Sequence, residues 1–175
     1  MADESGATSG GNSGTAPAGA GPDFAIQKLY VKDLSFEAPN SPAVFLKEWK
    51  GETNIQLNTN VRVLSESDEL YEVELRLTVT TSSQAETAYL VEVKYAGVFV
   101  AKGFPEEQKG HLLGAYCPNL LFPFVREVVA DMVLKGGFPQ LLLQPINFDA
   151  LYFQQQQQRA QGGQAAPEAT GAAST

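Results

Sequence analysis

The sequence predicts an α+β domain: a four-stranded antiparallel sheet with helices packed on one face. Three observations carry this. Residues 24–101 contain four stretches in which apolar and polar residues alternate. After Gly103 the period changes to three and four. Both ends of the chain lack the branched and aromatic residues that a core needs.

Along the first stretch, Phe24, Ile26, Lys28, Tyr30, Lys32, Leu34 and Phe36 share one phase, and Leu29, Val31, Asp33 and Glu37 share the other. This predicts a first strand. The prolines of Ala38-Pro39-Asn40-Ser41-Pro42 end it, because each lacks a backbone donor and fixes its own φ. A crossing loop through Phe45 and Trp49 leads to a second strand. There Ile55, Leu57, Thr59, Val61 and Val63 alternate with Asn54, Gln56, Asn58, Asn60 and Arg62. Residues 65–69 turn the chain, and Tyr71, Val73, Leu75, Leu77 and Val79 then oppose Glu72, Glu74, Arg76, Thr78 and Thr80 in a third strand. A Ser-rich turn precedes the fourth, over 87–101. Short links between successive strands favour antiparallel pairing.

A weak helical start at 106–113 is followed by a stronger helix after Pro118-Asn119. Leu121, Phe124, Val125, Val128, Val129, Met132 and Val133 recur at helical spacing, and Gly136-Gly137 supplies the stop. Prolines at 139 and 145 prevent the apolar segment 138–145 from being helical throughout. Asn147 is placed to cap a last helix beginning at Phe148 or Asp149 and fraying into the Gln run.

Of the first 22 residues, 18 are Gly, Ala, Ser, Thr or Pro, and the chain after Phe153 is rich in Gln, Ala and Gly. The organisation expected is a tail over 1–22, a folded domain over 23–153 and a second tail over 154–175, both tails disordered. Twenty acidic against 12 basic side chains give a net charge of −8 and a pI near 4.6. Such a surface lacks the clustered Lys and Arg that bind phosphate, so nucleic acid is not an expected partner. A single Cys allows no intramolecular disulfide, and neither a signal segment nor a run of 18 apolar residues is present. The setting expected is the reducing cytoplasm, without membrane insertion.

Catalytic chemistry finds no constellation here. His111 and Cys117 have no further soft ligand for a metal, and six positions on a helix turn them about 600° apart, away from a nucleophile pair. Both are expected to be packing residues, and no cofactor is expected. Gly97, Gly103, Gly110 and Gly114 match neither phosphate-binding spacing, leaving turns and close packing as their use. The pairs Glu72/Glu74 and Glu106/Glu107 read as a solvated strand face and a helix start. What remains unexplained is apolar: the 138–145 segment and the loop with Phe45 and Trp49. They either close over the core or form a groove or an oligomer interface.

Several motifs occur in order over about 130 residues: Tyr30, Lys32-Asp33, Ser35-Phe36-Glu37-Ala38-Pro39-Asn40, Trp49, Tyr71-Glu72-Val73, Gly114-Ala115-Tyr116-Cys117-Pro118-Asn119, Leu121-Phe122-Pro123, Phe138-Pro139-Gln140 and Pro145 through Leu151. In these the chain resembles the SecB family of protein-export chaperones. The resemblance implies a non-enzymatic cytoplasmic protein that holds unfolded secretory precursors and delivers them to the motor ATPase SecA. It also implies a homotetramer, a dimer of dimers, in which eight-stranded sheets enclose a layer of long helices.

By that resemblance, Asp33, Glu37, Leu90 and Glu92 form the surface on which the small, basic, zinc-bearing SecA tail docks. Tyr30, Trp49 and Tyr152 carry over as aromatics of the client groove, to which placement adds Phe45 and the segment Leu141 to Leu143, Leu141 and Leu143 foremost. The oligomer interface takes in Val91, Val93, Tyr95, Leu121, Val125, Val128, Val129 and Met132. Val91 and Tyr95 stand where the family more often has a Cys and a polar residue. The rival functions are a closed pocket for a small ligand, which requires convergent polar groups, and a purely structural oligomer.

Overall fold

The computed structural model describes residues 21–162. The expected tails therefore lie outside the described residues over 1–20 and 163–175. Four strands, β1 (Asp23–Glu37), β2 (Gly51–Ser65), β3 (Leu70–Ser83) and β4 (Glu86–Lys102), form one antiparallel sheet in the order β1-β4-β3-β2. With β1 and β2 at opposite edges, residues 38–50 must cross the whole sheet, and a 3₁₀ turn at Ala43–Leu46 lies on that path.

Register explains which side of β1 is buried. Phe24 and Ile26 face the helices, opposite Ala101 and Phe99 of β4. The pairing slips between Ile26 and Lys28 and again between Val31 and Asp33, so that Gln27 and Lys32 are extra residues. Each β-bulge inverts the alternation. Leu29 and Val31 thereby keep the helix side in the middle of the strand, and Leu34 and Phe36 keep it at the end. The uniform two-residue period expected for β1 is thus corrected: its apolar residues are spaced two and three apart, and two bulges absorb the difference.

The helical half begins with α1 (Glu106–His111), widens into a π turn at Leu112–Tyr116 and continues as α2 (Cys117–Lys135). This is one continuous run where two separate starts were expected. Pro118 has no N–H for the carbonyl of Gly114, and the wider turn accommodates that lost bond. The glycine stop is realised as a Schellman cap. Gly137 has φ +85°, its N–H donates to the Leu134 carbonyl at 3.0 Å, and the Phe138 N–H donates to the Val133 carbonyl at 3.2 Å. Asn147 caps α3 (Phe148–Gly162), its Oδ1 accepting the Ala150 N–H at 3.0 Å. The Gln run does not end this helix at 153, because Gln is a good helix former and the cap supplies the first turn.

Leu121, Val125, Val129 and Val133 form the stripe of α2 that meets the sheet, against Val73, Leu75, Leu77, Val79, Val91 and Val93, and all ten are fully buried. Burial on that scale is worth about 1.5–3 kcal/mol per side chain. It also corrects the expected oligomer interface: Val91, Val93, Leu121, Val125 and Val129 lie inside the protomer's own core, while Tyr95, Val128 and Met132 are only partly covered. Replacing Val129 with Asp leaves an unpaired charge in this core. The expected loss is at least about 3 kcal/mol of protomer stability, measured by urea denaturation.

Candidate functional site

Phe138, placed by the Schellman cap, organises an aromatic cluster on the helix side of the sheet. Its ring centroid lies 5.0 Å from Phe45, 5.6 Å from Trp49 and 4.9 Å from Tyr89. Phe138 and Tyr89 are buried, whereas Phe45 is 49% and Trp49 38% exposed. The Trp49 indole lies over Gly51, where a Cβ would come within 2.7 Å of the ring. Thr53 and Ile55, the next inward residues of β2, continue the surface into a groove of about 340 Å³ that residues 141–146 wall off opposite them. Leu143 is its buried floor and Leu142, 64% exposed, its rim.

Of the expected groove residues, the structure brings together Phe45 and Trp49 and, along the same side, Leu141 and Leu143. Tyr30 is elsewhere. It faces away from the helices, opposite Ala96, and its hydroxyl donates to Glu72. Tyr152 is also separate: it stacks over Gly114 and meets the ring of His111 edge-on at 5.5 Å. There, residues of α1, the π turn and α3 line a larger apolar recess of about 890 Å³. His111 packs against the rings of Tyr152 and Phe153 as expected, and is in addition half-exposed and hydrogen-bonded to Asp149 at 2.7 Å. Cys117 is a fully buried packing residue. Burial pushes its thiol up to about 12, leaving no thiolate at neutral pH.

The outer face of the sheet is polar and networked. Glu72 is 3% exposed, contrary to the solvated face expected for the Glu72/Glu74 pair. It accepts from Tyr30 and from Lys32 at 3.1 Å and forms an ion pair with Arg62 at 3.1 Å, while Glu74 holds Lys32 at 2.7 Å. Tyr30 and Lys32 reach from β1 over the small, fully buried Ala96 of β4, and Arg62 reaches Glu72 from β2 on the other side. The same face carries the four expected docking residues in adjoining rows: Glu37 pairs with Leu90, Ser35 with Glu92, and Asp33 with Lys94. Lys94 donates to Asp33 at 2.8 Å and thereby holds its carboxyl below the usual range, and Arg76 donates to Glu92 at 2.6 Å.

A second stripe of α2 is left uncovered beside the β1 edge. Phe124 is stacked on Tyr95 at 5.6 Å, and Val128 and Leu134 continue the stripe toward the helix end. None of the described helices is long and apolar enough to cross a membrane.

The α+β protomer thus presents an apolar groove, an outer face of paired charges and an uncovered helix stripe. The family model described as "Preprotein translocase subunit SecB" matches residues 17–159. The chain belongs to the SecB family. A protein of Thioalkalivibrio sulfidiphilus named "Protein-export protein SecB" is 64% identical over 140 residues, which is 80% of this chain and 83% of that one. Another of the same name, from Nitrosococcus oceani, is 59% identical over 157 residues, 88% of this chain and 94% of that one. Among solved structures, a Mycobacterium tuberculosis SecB-like chaperone in complex with a ChAD peptide from the HigA1 antitoxin shares the fold, with a TM-score of 0.58 and 15% identity over 70% of this chain and 90% of that one. The function of this SecB-family chain is that of a protein-export chaperone, as the sequence resemblance implies.

Phe138 and Ile55 are groove-side residues of this SecB-family chain that the sequence reading did not single out, nor did it single out Phe124 and Leu134 as residues of the uncovered stripe. Phe138 becomes visible only when the cap turns it onto the loop.

The Glu72 network has a pH signature. The Tyr30 hydroxyl foremost, then Lys32 and Arg62, hold the Glu72 carboxyl below its ordinary 4.5, outweighing burial, which acts in the other direction. A carboxyl depressed on folding contributes its stability above the unfolded pKa and loses it as pH falls through the folded one. The urea midpoint of the wild type should therefore drop as pH falls below about 4.5, and Glu72→Gln should lower the midpoint at pH 7 and flatten that acid limb.

Proposed function

We propose that this SecB-family chain captures unfolded secretory precursors along the Phe45–Trp49–Leu142 groove, keeps them competent for export and passes them to SecA. One observation carries the reading: the large apolar side chains Phe45, Trp49, Ile55 and Leu142 stand exposed on the same side of the protomer, beside Phe138 and Leu143, which are fixed in the core. Burial and dispersion recognise apolar chain with little regard to sequence, which suits many clients. A folded client has already buried the segments that would cover these side chains. The groove wall is made chiefly by Ile55, Leu77, Phe122 and the leucines of 141–143, which favours an extended chain over a polar small ligand. The peptide held by the mycobacterial chaperone of the same fold supports this reading.

The working form in this proposal is a cytoplasmic, non-enzymatic homotetramer. Its contact runs along the second stripe of α2, through Phe124, Val128 and Leu134 with Tyr95 and Met132, because that surface is apolar and uncovered in the single protomer. Several grooves in one particle let a long client bind at more than one place, so weak local contacts gain from effective concentration. Asp33, Glu37, Leu90 and Glu92 serve as the dock for the basic SecA tail, three acids around one apolar side chain.

Trp49 tests the groove. Only its exposed part can gain from a client, about 90 Å², which is roughly 2 kcal/mol before the costs of ordering the client. Trp49→Ala should weaken capture of an unfolded client about tenfold and leave the oligomer intact, and wild-type fluorescence should shift with the unfolded client but not with its folded form. No optical response, with a large loss of stability on truncation, would return Trp49 to a role in closing the core. Phe124→Asp tests the interface: sedimentation should show smaller particles with native circular dichroism, in contrast to Val129→Asp, which lowers protomer stability.

A further inference from the structure

On the outer face, the proposed docking acids are not free. Lys94 stands on β4 between two of them, its Nζ 2.8 Å from Asp33 Oδ2 and 3.9 Å from Glu92 Oε1. Its side chain is only 27% exposed, lying flat along the acids it joins. Arg76 reaches Glu92 from β3, on the far side from Asp33. The four groups make a row of alternating charge across β3, β4 and β1: Arg76, Glu92, Lys94, Asp33. Glu37, at the end of the face, makes no ion pair among the described residues.

We infer that Lys94 is an intramolecular rival of the docking partner's cations and sets the affinity and salt dependence of this face, an inference that rests on the docking role given to the face above. A cation arriving at Asp33 must either displace the Lys94 ammonium or settle beside it. Displacement costs an existing charge-assisted hydrogen bond, and settling beside it places like charges together. Both subtract from binding. Lys94 also cancels part of the field of Asp33 and Glu92, and the steering of a basic partner with it. Arg76 is a weaker rival, because it pairs with Glu92 alone and acts on Asp33 only from a distance. Specificity follows: a partner with a single charge gains little by exchanging for Lys94, whereas one presenting several cations around an apolar contact engages Glu37 and Leu90 at the same time.

The experiment titrates wild type, Lys94→Gln, Lys94→Arg and Glu92→Lys with the zinc-loaded SecA tail peptide by calorimetry, at low salt and at about 1 M, where the Debye length is about 3 Å. Lys94→Gln should bind about fivefold more tightly at low salt and converge on wild type at high salt. Lys94→Arg, which keeps the charge, should match wild type. Glu92→Lys should bind more weakly, and the affinity of all four for an unfolded client should be equal. Lys94→Thr, a good strand former, should repeat the tightening if the Gln variant is impaired in folding. If Glu92→Lys weakens docking while the neutral Lys94 variants match or fall below wild type, Lys94 is not a rival and the docking role stands. If no variant alters binding of the peptide, the docking role fails and the inference falls with it.

Discussion

One helix is too narrow for this sheet. Three inter-strand spacings of about 4.8 Å make it roughly 14 Å across the strand axes, and a helix with its side chains is about 10 Å wide. The α2 helix therefore seals the middle of β3 and β4, where Val73, Leu75, Leu77, Val79, Val91 and Val93 are fully buried, and leaves the edges to other means. Ile26, Val31 and Leu34 on β1, and Ile55, Val61 and Val63 on β2, point to the helix side and remain substantially exposed. On one edge the crossing loop and the 138–146 segment cover the deficit in part, and the gap left between β2 and residues 141–146 is the groove. On the other, the second stripe of α2 and the inward side of β1 border a surface that a single protomer does not close. Groove and uncovered stripe are two consequences of one mismatch in width.

The two bulges of β1 decide what the opposite face can do. Without them the strand would alternate strictly, and either Leu29 and Val31 or Leu34 and Phe36 would turn outward among the charges. With them all six apolar residues turn inward, and Asp33, Ser35 and Glu37 turn outward beside Leu90 and Glu92. Lys32, the extra residue of the second bulge, is held by Glu72 and Glu74 over Ala96. The outer face is thus a charge network spanning the sheet, with its acidic end at the β1–β4 edge. An apolar inner side and a polar outer side let one protomer present two kinds of chemistry that do not compete for the same residues.

The elements legible in the sequence are those whose cause is local. Alternation announces a strand because neighbouring residues point to opposite faces, and the α2 stripe announces a helix because residues three and four apart share one. Gly136-Gly137 and Asn147 act on backbone groups within a few residues of themselves, so their caps could be placed before any packing was known. The 2-3-2-3-2 spacing of apolar residues in β1 was equally present in the sequence. A uniform two-residue period does not fit that spacing, and the two bulges are what reconcile it with one buried face. The export family was legible because several motifs agree in order along the chain.

Tertiary structure alone decided which distant residues meet. Trp49 and Tyr30 are both aromatics assigned to one groove by the sequence, yet the crossing loop carries Trp49 to Phe138 on one side, while register turns Tyr30 to Glu72 on the other. Glu72 has the sequence pattern of a solvated acid and becomes buried because Tyr30, Lys32 and Arg62 converge on it from two other strands. The same holds for the helix: composition predicts a wide stripe, but only packing shows that Val125 and Val129 serve the protomer's core and Phe124 and Val128 border its open side. Local periodicity is set by covalent neighbours, and the sequence determined it. Partners 40 residues apart or more, such as Lys32 and Glu72, are set by register and topology, which exist only once the sheet has formed.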